Sequence, residues 1–99
     1  FFTGGRFSAA DAETMGLVNR VVPVAELESR VTVLATTIAE NAPMTVKAAK
    51  AAINEGTKNP DDRELDRVAA MVEACFNSDD YKEGRRAFME KRKPQFQGK

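Results

Sequence analysis

The 99 residues carry fifteen basic and fifteen acidic side chains, so the chain is neutral overall and has no global pull toward nucleic acid or a membrane surface. There is no histidine and one cysteine, Cys75, which excludes an intrachain disulfide, a zinc cluster and the usual general base near neutral pH. Apolar residues at 42% and charged residues at 30% fit one small soluble domain, and no apolar run approaches the roughly 18 residues of a membrane span.

The chain opens on Phe1-Phe2-Thr3-Gly4-Gly5, without an initiator methionine and without the pattern of a signal peptide. The two phenylalanines read as the tail of an element that begins upstream. Ser8 and Asp11 form a capping-box pattern, with aspartate in place of the usual glutamate. It predicts a short helix that Gly16 ends. Residues 17–22 are rich in β-branched side chains and bounded by Gly16 and Pro23, which predicts one short strand. A long helix is expected over residues 25–41, with Leu27, Val31, Leu34, Ala35 and Ile38 on one apolar stripe.

Pro43 is suited to the first position of the next helix, where its missing N–H costs nothing. That helix carries Val46, Ala49 and Ile53 on one side, Lys47 and Lys50 on another, and ends at Gly56 and the polar stretch to Pro60. Asp61 or Asp62 is the expected cap of a fourth helix, whose buried stripe would be Leu65, Val68, Val72, Cys75 and Phe76. Ser78 caps a final helix, with Asp79 and Asp80 at its positive end. That helix is expected to reach about Arg92, before Pro94. The pattern is mainly α, about five helices with one short strand, and its apolar stripes call for partners.

Little catalytic chemistry is legible. The acid pairs Glu26/Glu28, Asp61/Asp62, Glu64/Asp66 and Asp79/Asp80 sit at helix starts or on polar faces, where capping and solubility account for them. Cys75 lies within an apolar stripe and reads as a small core residue. At the basic end, Arg85, Arg86, Lys91, Arg92, Lys93 and Lys99 stand against the single acid Glu90 from residue 85 onward. This is either an anion site or a solvated helix end complementing its dipole. Phe88 and Lys91 are three residues apart and would share a helical face, an aromatic ring beside an ammonium. Spacing alone favours the plainer reading, a core phenylalanine with a snorkelling lysine.

Three collinear blocks resemble the crotonase (enoyl-CoA hydratase/isomerase) family. The first is Thr3-Gly4-Gly5-Arg6-Phe7-Ser8-Ala9-Ala10-Asp11-Ala12 with Met15-Gly16-Leu17-Val18-Asn19-Arg20-Val21-Val22-Pro23. The second is Asn41-Ala42-Pro43 followed by Val46-Lys47-Ala48-Ala49-Lys50. The third is Phe76-Asn77-Ser78-Asp79-Asp80, then Glu83-Gly84, Ala87-Phe88, Glu90-Lys91-Arg92 and Pro94-Gln95-Phe96. Gly5 departs from the pattern, since family members commonly carry a basic or polar residue before Arg6.

The resemblance implies the C-terminal helical region of a crotonase-like (ββα spiral) fold. Residues 1–23 would be the end of the crotonase core and the short strand, and residues 24–99 a C-terminal helical region for oligomerisation and CoA capping. The implied parent is an acyl-CoA enzyme, foremost an enoyl-CoA hydratase adding water across the double bond of a 2-enoyl-CoA. Its alternatives are isomerisation, dehalogenation or thioester hydrolysis, or a non-catalytic helical interaction module. The family's oxyanion hole and catalytic acids would lie upstream of Phe1. On this chain the expectation is therefore no catalytic residue, no metal site, and no activity of these residues alone. Phe88 and Lys91 match the residues that touch the adenosine part of CoA, and Arg92 and Lys93 are weaker candidates for its phosphates. No cofactor is expected beyond the coenzyme A that the substrate carries. The parent is expected to be a cytoplasmic trimer or dimer of trimers, with no nucleic-acid or membrane partner.

Overall fold

The computed structural model describes residues 2–99, and Phe1 of the opening pair lies outside them. Among the described residues there are five helices: α1 (Ala9–Thr14), α2 (Leu27–Ala39), α3 (Pro43–Gly56), α4 (Leu65–Asn77) and α5 (Asp79–Met89). The chain divides into two compact units, Phe1–Val33 and Leu34–Lys99, with the boundary inside α2. No described helix is long and apolar enough to cross a membrane.

In the first unit the capping box forms as the sequence implies. The Asp11 N–H donates to Ser8 Oγ at 3.1 Å, and the Ser8 N–H donates to Asp11 Oδ2 at 2.9 Å. The Ser8 hydroxyl, donating to Asp11 Oδ2 at 2.7 Å, and then the Ser8 N–H hold the Asp11 carboxyl below the usual carboxylate range. The far end of α1 closes with two reciprocal bonds, Gly16 N–H to the Glu13 carbonyl at 3.0 Å and Leu17 N–H to the Ala12 carbonyl at 2.9 Å. Gly16 supplies the left-handed residue this closure needs, at φ +73°.

The expected strand over residues 17–22 does not form. The segment is bends and irregular backbone, and the Val21 N–H is taken by Glu13 Oε1 at 3.2 Å. A strand needs a neighbour for its backbone groups, and no described segment pairs with it. The chain then enters α2 through one 3₁₀ turn, Val24–Glu26, steadied by Ser29 Oγ donating to the Glu26 carbonyl at 2.9 Å. At the far end of α2, the Asn41 side-chain amide donates to the Thr37 carbonyl at 2.7 Å and supplies a bond the helix end lacks.

In the second unit α3 packs on α4 and α4 on α5. Pro43 opens α3 as expected. The α3–α4 connection is organised by Glu55, which is 3% exposed. Its carboxylate accepts from the Glu64 N–H and from Lys58 Nζ, each at 2.9 Å. These bonds, the Glu64 N–H foremost, hold the Glu55 carboxyl low, and the same contact raises Lys58. The cap expected from Asp61 or Asp62 is not made. Pro60–Asp62 form a 3₁₀ turn, and Glu64 precedes α4 without a side-chain cap bond. Its N–H is already held by Glu55, so α4 starts from a tertiary contact.

One hydroxyl joins α4 to α5. Ser78 Oγ donates to the Cys75 carbonyl at 2.7 Å and accepts from the Tyr81 N–H at 3.0 Å, making Ser78 the predicted cap of α5. The predicted buried stripe of α4 is only partly covered: Val68 and Cys75 are half-buried, whereas Leu65, Val72 and Phe76 are exposed. The stripe of α2 is likewise open along Leu27, Val31, Leu34 and Ile38. The buried apolar residues are Ala12, Ala48 and Ala87, and no large side chain is fully buried among those described.

Candidate functional site

The C-terminal end of α5 brings together the residues singled out for ligand contact. Expected to run to about Arg92, α5 stops at Met89. It closes as α1 does: Lys91 N–H donates to the Phe88 carbonyl at 3.2 Å, and Arg92 N–H to the Ala87 carbonyl at 3.0 Å. Lys91 therefore occupies the left-handed position, at φ +53°. It does not share a helical face with Phe88. The two are linked through the helix-end hydrogen bond instead.

Phe88 is 82% exposed, which removes the reading of a core phenylalanine within this chain. With Met89 it borders an apolar groove of about 730 Å³ that runs between α3, α4 and α5 over Met44, Ala48, Val72 and Phe76. Phe96 completes the groove from the tail and packs on Gly84, where an added Cβ would lie 3.5 Å from the ring.

The basic end is less open than its composition implies. Arg92 sets Nη1 and Nη2 on the two oxygens of Glu83 at 2.6 and 3.0 Å, and its Nε on Glu90 at 2.6 Å. Arg86 also reaches Glu83 at 2.6 Å, Lys93 reaches Glu40 at 3.5 Å, and Arg85 stands 6.0 Å from the Tyr81 ring centre. Lys91 enters no ion pair among the described residues. Of the residues proposed for anion contact, Arg92 and Lys93 are thus already engaged with carboxylates, and Lys91 is not.

Two acids organise this end: Glu83, and Asp80, which the sequence places only at the positive end of α5. Glu83 receives Arg92, then the Gln95 N–H at 3.0 Å and Arg86, which hold its carboxyl far below the usual range and raise Arg92 in turn. Asp80, 3% exposed, accepts the N–H groups of Gln97 and Gly98 at 2.6 and 2.7 Å, while its own N–H donates to the Lys99 carbonyl at 3.1 Å. Together they fasten residues 94–99 along α5. Both carboxylates are thus engaged in holding the chain's own tail. No group of three or more metal-ligating side chains occurs among the described residues.

The family described as enoyl-CoA hydratase/isomerase matches residues 1–99. The chain is 39% identical over 101 residues to methylmalonyl-CoA decarboxylase of Escherichia coli, covering 98% of this chain and 38% of that protein. It is 39% identical over 92 residues to the short-chain-enoyl-CoA hydratase of Clostridium acetobutylicum, covering 93% and 35%. Among solved structures, the enoyl-CoA hydratase subunit I of Geobacillus kaustophilus superposes with a TM-score of 0.82 at 40% identity, covering 99% of this chain and 38% of that one. The chain thus spans little more than a third of the length of these relatives.

Proposed function

The chain belongs to the enoyl-CoA hydratase/isomerase (crotonase) family, and from that premise we propose that it is the C-terminal helical part of an acyl-CoA enzyme. The collinear blocks ending in Glu90-Lys91-Arg92 and Pro94-Gln95-Phe96 support the C-terminal placement. The leading activity is hydration of a 2-enoyl-CoA, in keeping with the hydratase names among the relatives. No further cofactor is required in this reading, because the substrate brings coenzyme A with it. A cytoplasmic parent belongs to the same reading, and the free Cys75 is consistent with it.

The observation that carries the reading is the pairing of an exposed Phe88 with an unpaired Lys91 at one helix end. An aromatic face and an ammonium suit the adenine and phosphates of the CoA nucleotide. The open apolar stripes of α2 and α4 support a second role, covering the acyl site and joining subunits into a trimer or dimer of trimers. With Asp80, Glu83 and Glu55 engaged in the chain's own contacts, this segment supplies binding in this reading, and the catalytic acids belong to the rest of the parent. Calorimetric titration of the full-length protein with CoA tests this. Phe88→Ala and Lys91→Ala are each expected to weaken binding roughly tenfold, the weight of one stacked base or one charge-assisted bond to phosphate. Unchanged affinity in both would contradict the reading.

A second reading within the family is favoured by one observation. The decarboxylase relative is as similar as the hydratase relative, at 39% identity each. Decarboxylation of a malonyl-type thioester is therefore the alternative reaction. Loss of crotonyl-CoA absorbance catalysed by the full-length protein supports hydration, and turnover of methylmalonyl-CoA without it supports the alternative.

A further inference from the structure

At the left-handed residue closing a helix, glycine is the usual occupant, because a side chain there crowds the following carbonyl. Here the occupant is Lys91, at φ +53°. The two helix-end bonds, one from the Lys91 N–H and one from the Arg92 N–H, are the ordinary ones, and the residue that follows is also held by its side chain. Arg92 is locked by a two-pronged contact to Glu83 and a third bond to Glu90, and its Nη1 also donates to the Lys93 carbonyl at 3.1 Å. Glu83 lies in the middle of α5, with only 11% of its side chain exposed, and Arg86 and the Gln95 N–H fix its orientation.

Lys91 is thereby held from both sides, by the Phe88 carbonyl before it and by Arg92 tied to Glu83 after it. This arrangement sets the direction in which the Lys91 side chain leaves the backbone, and Arg86, Arg92 and Lys93 nearby are already paired. We propose that Glu83 is a positioning residue for nucleotide binding: through Arg92 it holds Lys91 in the left-handed conformation that presents its ammonium to the phosphates of CoA. The inference rests on the reading of Lys91 as a CoA contact and gives Glu83 a role exercised through Arg92.

The test is a double-mutant cycle in the full-length protein, with CoA as the titrant. Glu83→Gln keeps the shape and removes the charge. It is expected to weaken CoA binding several-fold, up to the roughly tenfold loss of Lys91→Ala. In the Lys91→Ala background, Glu83→Gln should cost nothing further, because there is no ammonium left to place. The backbone carbon chemical shifts of Lys91 should also leave the left-handed range in Glu83→Gln. Arg92→Lys, which keeps the charge and loses the fork, should reproduce both results if Glu83→Gln folds poorly.

Losses that multiply in the double variant, or a left-handed signature that survives both substitutions, would overturn the proposal and leave the CoA reading standing. If Lys91→Ala alone leaves CoA binding intact, the CoA reading and the proposal fall together.

Discussion

The two helix ends closed by a left-handed residue, after α1 and after α5, have the same hydrogen-bond pattern and opposite chemistry. In each, a buried alanine accepts the outer bond, Ala12 in one and Ala87 in the other. After α1 the left-handed residue is Gly16, and its side-chain space is empty. After α5 it is Lys91, with Arg92 and Glu83 behind it. The first end is satisfied by local conformational preference. The second puts a charged side chain where glycine would serve the fold better, and spends a three-bond guanidinium contact on keeping it there. Such a departure from local preference is the kind expected where a side chain is needed for binding.

Exchanging the two residues should break the symmetry most strongly. Gly16→Lys places a side chain at φ +73° with nothing to hold it and should destabilise the protein by about 1–2 kcal/mol in chemical denaturation. Lys91→Gly relieves the same strain while loosening the unfolded chain, so stability should change by less than about 1 kcal/mol while CoA affinity falls. Equal destabilisation by both exchanges would mean that Lys91 is as much a fold residue as Gly16.

The opening ends of the same helices sharpen the contrast. Ser8 and Ser78 both cap, but Ser8 is exposed, whereas Ser78 is 8% exposed and also closes α4. Ser78→Ala should cost about 1–2 kcal/mol and Ser8→Ala about 0.5–1 kcal/mol, measured by urea unfolding.

Acid provides the finest probe. The folded chain depresses the Glu83 carboxyl, so the stability from its ionised form is complete above the ordinary glutamate pKa of about 4.3 and is lost as pH falls through the lower folded value. The stability gap between the protein and Glu83→Gln should therefore be widest near neutral pH and should narrow on acidification toward about pH 3. A gap independent of pH would mean that the charge on Glu83 does not hold the α5 end.

What the sequence disclosed follows from distance along the chain. The Ser8–Asp11 box, the Gly16 closure, Pro43 and the Ser78 cap each act within a few residues, and each appears as patterned. The start of α4 could not be read in this way, because Glu55 reaches nine residues forward to the Glu64 N–H and displaces Asp61 and Asp62 as caps. Glu83 likewise meets Arg92 nine residues away, and Asp80, legible as a first-turn acid, meets Gln97 and Gly98 farther still, so neither of these long contacts had a local signature. Phe88 and Lys91 are proposed from the resemblance to the family's tail motif. Their relation as helix end rather than helix face was not legible, because lysine carries no mark of a left-handed residue. Apolar periodicity located the stripes of α2 and α4, but spacing alone identifies a face without saying what covers it.

The central claim, that the end of α5 receives the CoA nucleotide, is tested most directly by a crystal structure of the full-length protein with CoA bound. The account predicts the adenine against the Phe88 ring and the Lys91 ammonium within hydrogen-bonding distance of a phosphate oxygen, with φ of Lys91 still positive. CoA bound with its nucleotide away from both residues would contradict it.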